Sequence, residues 1–335
     1  MPQAAEQLRL WLLVFSAVFF AAALLFSLFP GKILTWVGKI LNPFFLLFLG
    51  ILIIVALVKP SAAISAVAPE GAYASQAFST GFLEGYNTMD VLAGLAFGII
   101  VVQVIRELGV ADAVASSTVK AGVFSSLLMA LIYLAVTVVG AQSRGLFATS
   151  ENGGIALAQI ARHYLGSAGL VILAATVTLA CLKTSVGLIT SCAETFCGMF
   201  PKGPGYRAWA VLFTLISFAL SNFGLSTIIS YSVPVLMFLY PLAIALVLLA
   251  LFGRFYRHDR AVYISVIVCT LLAALYDLIC ALPEGLYDAL HADAVQAFGL
   301  RVLPFAGAGL GWICPLALGF VIGLAVHLMQ KFRTK

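Results

Sequence analysis

Apolar residues in this chain gather into nine long runs, separated by shorter segments that carry nearly all the charge. The runs cover Leu10–Phe29, Leu41–Val58, Phe78–Ile105, Val119–Ala141, Ala168–Phe200, Ala208–Asn222, Thr227–Phe252, Val262–Leu282 and Ala306–Met329. Most approach or exceed about twenty residues, the length that carries a helix across the hydrocarbon of a bilayer. Backbone in lipid must satisfy its own hydrogen bonds, so the runs predict helices. The pattern therefore predicts an all-α polytopic membrane protein of about nine transmembrane helices. Two connections call for comment. Ser150–Tyr164 turns mildly amphipathic after Gly153-Gly, and predicts a short surface helix capping a vestibule. Pro283–Leu300 holds Glu284, Asp288 and Asp293, and is expected to be a solvated loop.

Composition sharpens the class. Of 335 residues, 63% are hydrophobic and 9% charged, and mean hydropathy is +1.12. Soluble domains carry about 25% charge and about 45–50% apolar residues, so a soluble enzyme and a disordered chain are both poor fits. The net charge of +5 comes from scattered Lys and Arg with no basic stripe, so no nucleic-acid partner is expected. When nine spans are threaded through a bilayer, twelve of the eighteen Lys and Arg fall on the side of the C-terminus, five fall opposite, and Lys183 lies within a span. The positive-inside rule then puts the C-terminus in the cytoplasm and the N-terminus of this chain outside. An eight- or ten-span count would scramble that asymmetry. Glu6 and Arg9 lead directly into a full-length span, with no cleavable signal pattern. The six cysteines form no C-x-x-C pair and read as buried, reduced thiols.

Four stretches depart from plain apolar helix. The first, Ala77-Phe-Ser-Thr-Gly-Phe-Leu-Glu-Gly-Tyr-Asn-Thr-Met-Asp90, mixes glycine, hydroxyls and two carboxylates at the mouth of the third span. Gly81 and Gly85 lie one turn apart and predict a close backbone approach or a break. A half-helix begun near Tyr86 would offer free N–H groups to a carboxylate. Glu84 and Asp90 need partners or water at membrane depth and are candidates for a proton or gating role. The alternative is a long outer loop that enters an ordinary helix late.

The second stretch runs from Cys181 to Glu194 and places Lys183, Thr184 and Ser185 inside the fifth span. Adjacent hydroxyls suit a small hard cation such as Na+, although Ser and Thr also bond to the preceding helical turn. Glu194, eleven residues beyond Lys183, joins the proton or gating candidates; about 16 Å of helix keeps the two apart. The third stretch sets Pro234 and Pro241 in one span, which predicts a kinked packing helix. The fourth is Asp277, expected to reach the interface from the outer end of its span. Against these stand the absences. The four histidines are isolated, and no H-E-x-x-H, Walker, D-D-x-x-D or G-x-S-x-G pattern occurs. No cofactor and no enzymatic activity are expected, and an integral-membrane enzyme is a remote alternative.

Several of these segments together resemble the bacterial branched-chain amino acid carriers, the BrnQ family. They are Leu28-Phe-Pro-Gly-Lys, Phe82-Leu-Glu-Gly-Tyr-Asn-Thr-Met-Asp-Val-Leu-Ala, Leu179 through Glu194, Ser221-Asn-Phe-Gly-Leu-Ser and the Ser232-Val-Pro to Tyr240-Pro run, in order along the whole chain. The resemblance implies a secondary symporter of leucine, isoleucine and valine in the bacterial inner membrane, coupled to Na+ or H+. It also implies a leucine-transporter-like fold of two inverted repeats. On that mapping 1–335 is a single transmembrane transporter domain. The second repeat lies at about 72–252, helices at about 10–58 remain from the first, and two added helices lie at about 262–329. Ser79, Thr80, Gly81, Phe82, Gly85 and Tyr86 then correspond to substrate contacts, and Thr184 and Ser185 to a hydroxyl pair that holds sodium. Lys183 beside the pair could displace Na+ and favour a proton. The family pattern has three further spans before Leu10. The resemblance therefore also implies two alternatives, a non-transporting fragment or subunit, and a separate polypeptide that supplies those helices.

Overall fold

The computed structural model describes residues 2–28, 32–107 and 114–333. Phe29, Pro30 and Gly31 of the first matching segment lie outside these residues. Among the described residues the chain forms twelve α-helices and no strand. Six helices are long and apolar enough to cross a membrane, and two shorter apolar ones cover Pro43–Val58 and Tyr206–Ser221. The surface has the reversed sense of a membrane protein: α5 (Val114–Ser143) exposes Leu127, Leu131 and Leu134 along one stripe. Such a stripe is stable only where the surrounding solvent is as apolar as leucine. The chain is a multi-pass membrane protein.

The helices divide into two compact units. One comprises residues 1–68 and 96–226, the other 69–95 and 227–335. In the first, α1 (Pro2–Leu28), α2 (Lys32–Val58), α5, α6 (Gly153–Met199) and α7 (Tyr206–Ser221) pack together. Its core has two clusters. Phe48, Leu52, Ile160 and Leu173 join α2 to α6, and Ala23, Val186, Ile189 and Ala210 join α1, α6 and α7. Asn152 caps α6 by accepting from the Ile155 N–H at 3.1 Å. Within α6, Gly166 has φ +63° and ψ −158°, a conformation close to glycine-only. It parts the expected amphipathic helix from the span beyond. That first piece is no free surface helix, because Ile160 and Ala161 are buried against α2.

The second unit holds α3 (Tyr73–Glu84), the first turns of α4 (Asp90–Glu107), α8 (Leu225–Phe252), α9 (Arg260–Cys280), α10 (Glu284–Ala289), α11 (Ala292–Val302) and α12 (Ile313–Arg333). Its closest pairing is α9 on α12. Gly319 and Gly323 make a small-x-x-x-small step, and a Cβ on either would stand 2.6–2.7 Å from Val266 and Val262 Cα. The α8 helix runs through both Pro234 and Pro241, each of them buried.

The break expected near Gly81 and Gly85 is present, for the run at Phe78–Ile105 is α3, a 3-10 turn at Gly85–Thr88 and α4. Two other expectations change. The segment Pro283–Leu300 is no loop but holds α10 and most of α11, because Pro283 starts the first and α11 buries Ala292 and Gly299. The last run becomes helical only at Ile313; the glycines before it form turns, with Gly309 at φ +69°.

Candidate functional site

The break in the third span lies in the second unit. α3 ends at Glu84, the chain tightens into the 3-10 turn, and Met89 takes φ +58° before α4 starts at Asp90. The half-helix expected to begin near Tyr86 begins at Asp90. Gly81 and Gly85 belong to the last turn of α3, and the Gly85 N–H is already bonded to the Gly81 and Leu83 carbonyls. What α3 offers at the break is its carbonyl end, the negative end of the dipole. The N–H end, the positive end of the dipole, belongs instead to α4, which begins at Asp90. The glycines also do not serve a close contact: a Cβ on Gly81 or Gly85 would meet nothing within 4 Å.

The side chains sort clearly. Tyr86 alone among the six candidate contacts is buried, at 4% exposure. Its ring stacks flat on Tyr240 of α8, centroids 4.3 Å apart and planes within 5°, with Phe82 edge-on at 5.5 Å. Ser79 and Thr80 are half-buried, whereas Gly81, Phe82 and Gly85 are exposed. Ser79 donates to the Gln76 carbonyl at 3.2 Å. Thr88 donates to the Gly85 carbonyl at 2.8 Å. The Glu84 carboxylate accepts from Asn87 Nδ2 at 2.7 Å, so this exposed acid has a local partner. Behind the break, Leu83 packs on Gly309, where a Cβ would come within 2.4 Å.

The second candidate stretch lies in the first unit, on an unbroken part of α6. Thr184 Oγ1 donates to the Ala180 carbonyl at 3.1 Å. That is the local pairing common to helical threonine, and it leaves the oxygen's lone pairs free to accept. Ser185 and Lys183 are half-buried, and Glu194 is exposed. Two turns further, Gly187 faces the Phe97 ring and Ser191 donates to the Ala96 carbonyl at 2.9 Å, which fixes α6 against α4. Among the described residues no group of three or more His, Cys, Asp or Glu is placed to hold a metal ion.

Two residues beside the break escaped the sequence reading, and a third, Asp277, was expected elsewhere. Tyr240 and Trp312 are buried, and the Tyr86 and Tyr240 hydroxyls and the Trp312 indole N–H have no hydrogen-bond partner. Asp277, expected at the interface, is only 9% exposed. Only the polar tip of a Tyr or Trp inside an apolar run could have pointed to the first two, since such tips normally find partners when buried.

Comparison with known proteins adds the family. Residues 1–330 match the branched-chain amino acid transport protein family. The branched-chain amino acid permease BrnQ of Lactobacillus delbrueckii subsp. lactis is 50% identical over 324 residues, which is 96% of this chain and 72% of that permease. BrnQ of Bacillus subtilis is 37% identical over 97% of this chain and 71% of its own length. The branched-chain amino acid transport system 2 carrier protein of Pseudomonas aeruginosa is 36% identical, over 93% and 69% respectively. No solved structure matches the chain. A helical chain with six helices long and apolar enough to cross a membrane, matched along nearly all its length, belongs to the branched-chain amino acid transport protein family.

Proposed function

We propose that this chain carries leucine, isoleucine and valine across the bacterial inner membrane, in symport with Na+ or H+, with its C-terminus in the cytoplasm. The observation that carries this reading is the interrupted span at Gly85–Met89 in a chain of that family. Irregular backbone at membrane depth persists where it lines a cavity. The carbonyl end of α3, with Glu84, suits the substrate ammonium. The first N–H groups of α4 suit its carboxylate. Phe82 and Tyr86 offer the branched tail an apolar wall, with Ser79, Thr80, Gly81 and Gly85 completing the contact. A wall of that kind separates substrates differing by a methylene by only about 1–3 kcal/mol, so three aliphatic amino acids share one site. Thr184 and Ser185 supply oxygens to the coupling cation, with Lys183 able to replace it. The two-repeat arrangement, with α3–α4 as the first helix of the second repeat, accompanies this reading. Cation binding and substrate binding would favour the same conformation, which couples them.

The test is uptake of labelled leucine into proteoliposomes containing the full chain, under an imposed Na+ or proton gradient. Unlabelled isoleucine and valine should compete, and lysine should not. Absence of uptake under both gradients would remove the carrier reading.

A further inference from the structure

Helix packing does not explain Asp277. It lies on α9, three residues before the helix ends at Cys280, with nine-tenths of its surface buried. Among the described residues no cation pairs with its carboxylate and no hydrogen bond reaches it. The groups near enough to feel its charge are neutral donors: Tyr276 and Cys280 on its own helix, and Tyr86 from the turn after α3. Trp312, just before α12, stands beside the Tyr86 hydroxyl. On α8, Tyr240 backs Tyr86 and itself faces Asp90. On α10, Tyr287 reaches Tyr276.

Of the charged groups on α11 and α12, Asp293, Arg301 and His327 have other surroundings. Asp293 of α11 receives the Tyr287 hydroxyl at 3.3 Å, and Arg301 is exposed. His327 of α12 meets Asp259 at the opposite end of α9. The site thus holds one acceptor without a donor, Asp277, and one buried hydroxyl without an acceptor, Tyr86 Oη, which the Trp312 N–H approaches. A buried carboxylate in a membrane helix is costly as an unpaired anion, and such groups mark proton or ion paths. Tyr86 is also the one buried residue of the break, so a change of charge at Asp277 acts on the place where substrate is proposed to bind.

We propose that Asp277 is a proton-binding site of the transport cycle, linked to the broken span through Tyr86. An O–H bond forms on a carboxylate oxygen as one O–H bond of a hydronium ion on one side of the membrane breaks, leaving water. On the other side the carboxyl O–H bond breaks as a water molecule takes the proton and becomes hydronium, and nothing is oxidised or reduced. This rests on the carrier reading above, and it sets the coupling proton apart from the Thr184–Ser185 hydroxyls.

Infrared difference spectroscopy of the purified full chain in lipid, stepped through pH, tests the site without any transport. The carbonyl stretch of a protonated carboxyl should grow as pH falls and be absent in Asp277→Asn. Tyr86→Phe should displace its frequency, and Asp277→Glu should retain a titrating band. If Asp277→Asn fails to fold, the displacements in the other two variants carry the assignment. A carboxyl spectrum identical in wild type and all variants overturns the proposal. So does a band that answers to Na+ rather than to pH, which would make Asp277 a metal-cation site. In proteoliposomes, Asp277→Asn should lower proton-driven leucine uptake at least tenfold while leucine–leucine exchange continues. Unchanged proton-driven uptake also overturns it. A wild-type chain that moves no leucine counts against the carrier reading alone, and the infrared result still decides Asp277.

Discussion

Asp259 illustrates how much one side chain does at the end of a helix. It caps α9 by accepting from the Ala261 N–H at 2.8 Å, and its other oxygen meets His327 Nδ1 at 2.5 Å. The His327 contact, then the Ala261 N–H, hold its carboxyl below the ordinary value of 3.8. A carboxyl depressed by folding stabilises the native state above its unfolded value, and that gain disappears as pH falls through the folded value. Asp259→Asn keeps a capping oxygen but not the charge. The wild type should therefore melt above the variant near neutrality, and the gap should close below about pH 4. Thermal unfolding in detergent across that range checks it. Thr184→Ala tests the proposed cation ligand in the same spirit. Loss of one oxygen, worth ~1 kcal/mol, should raise the Na+ needed for half-maximal leucine uptake about fivefold. An unchanged requirement would take the hydroxyl out of the mechanism. At Tyr240 two substitutions separate ring from hydroxyl. Tyr240→Phe removes an unpartnered buried oxygen and should leave stability within about 1 kcal/mol, whereas Tyr240→Ala unstacks Tyr86 and should cost about 3–5 kcal/mol. Chemical denaturation of both in one detergent gives the comparison.

Among the elements, glycine position decides where helices bend and where they touch. Gly166 takes a backbone conformation that an L side chain resists, so Gly166→Ala should destabilise by about 1–3 kcal/mol although a Cβ there has free space. Gly323 is the opposite case. Its φ is ordinary, but a Cβ would stand 2.6 Å from Val262 Cα. Gly323→Leu should therefore push α12 off α9 and cost more, about 3 kcal/mol or greater, because backbone rather than a flexible side chain is in the way. Unfolding midpoints of the two variants, with Gly81→Ala as a control at an open position, rank these effects. The Gly319-x-x-x-Gly323 step brings α12 onto α9, since small residues at that spacing let helices approach in lipid. The partner helix was not visible: nothing in the α12 sequence distinguishes α9 from any other apolar neighbour.

At the scale of the whole molecule, the Lys and Arg asymmetry makes a prediction about orientation. Single cysteines introduced at Lys202 and Arg257 should react with a membrane-impermeant reagent only from the cytoplasmic side. Cysteines at Glu151 and Asp288 should react from outside. Labelling in the reverse sense would invert the threading, and labelling of Glu151 and Lys202 from one side would break the span count between them.

Much of this protein could be read from residue order alone. Long apolar runs with charge confined between them determine helices in a bilayer, because lipid offers the backbone no hydrogen bonds. The mixture of glycine, hydroxyl and carboxylate from Ala77 to Asp90 marked the place of the break, because such residues are expensive at depth unless something uses them. Only the tertiary structure decided which way the break faces, with carbonyls at Gly81–Gly85 and N–H groups from Asp90 on. That follows from the residue at which one helix stops and the next begins, and a few residues either way reverse the sign of the dipole presented. Only the packing, likewise, buried Asp277 near Tyr86. Burial is a property of neighbours brought from distant parts of the chain, and a lone aspartate near the end of an apolar run looks the same whether it meets water or is sealed from it.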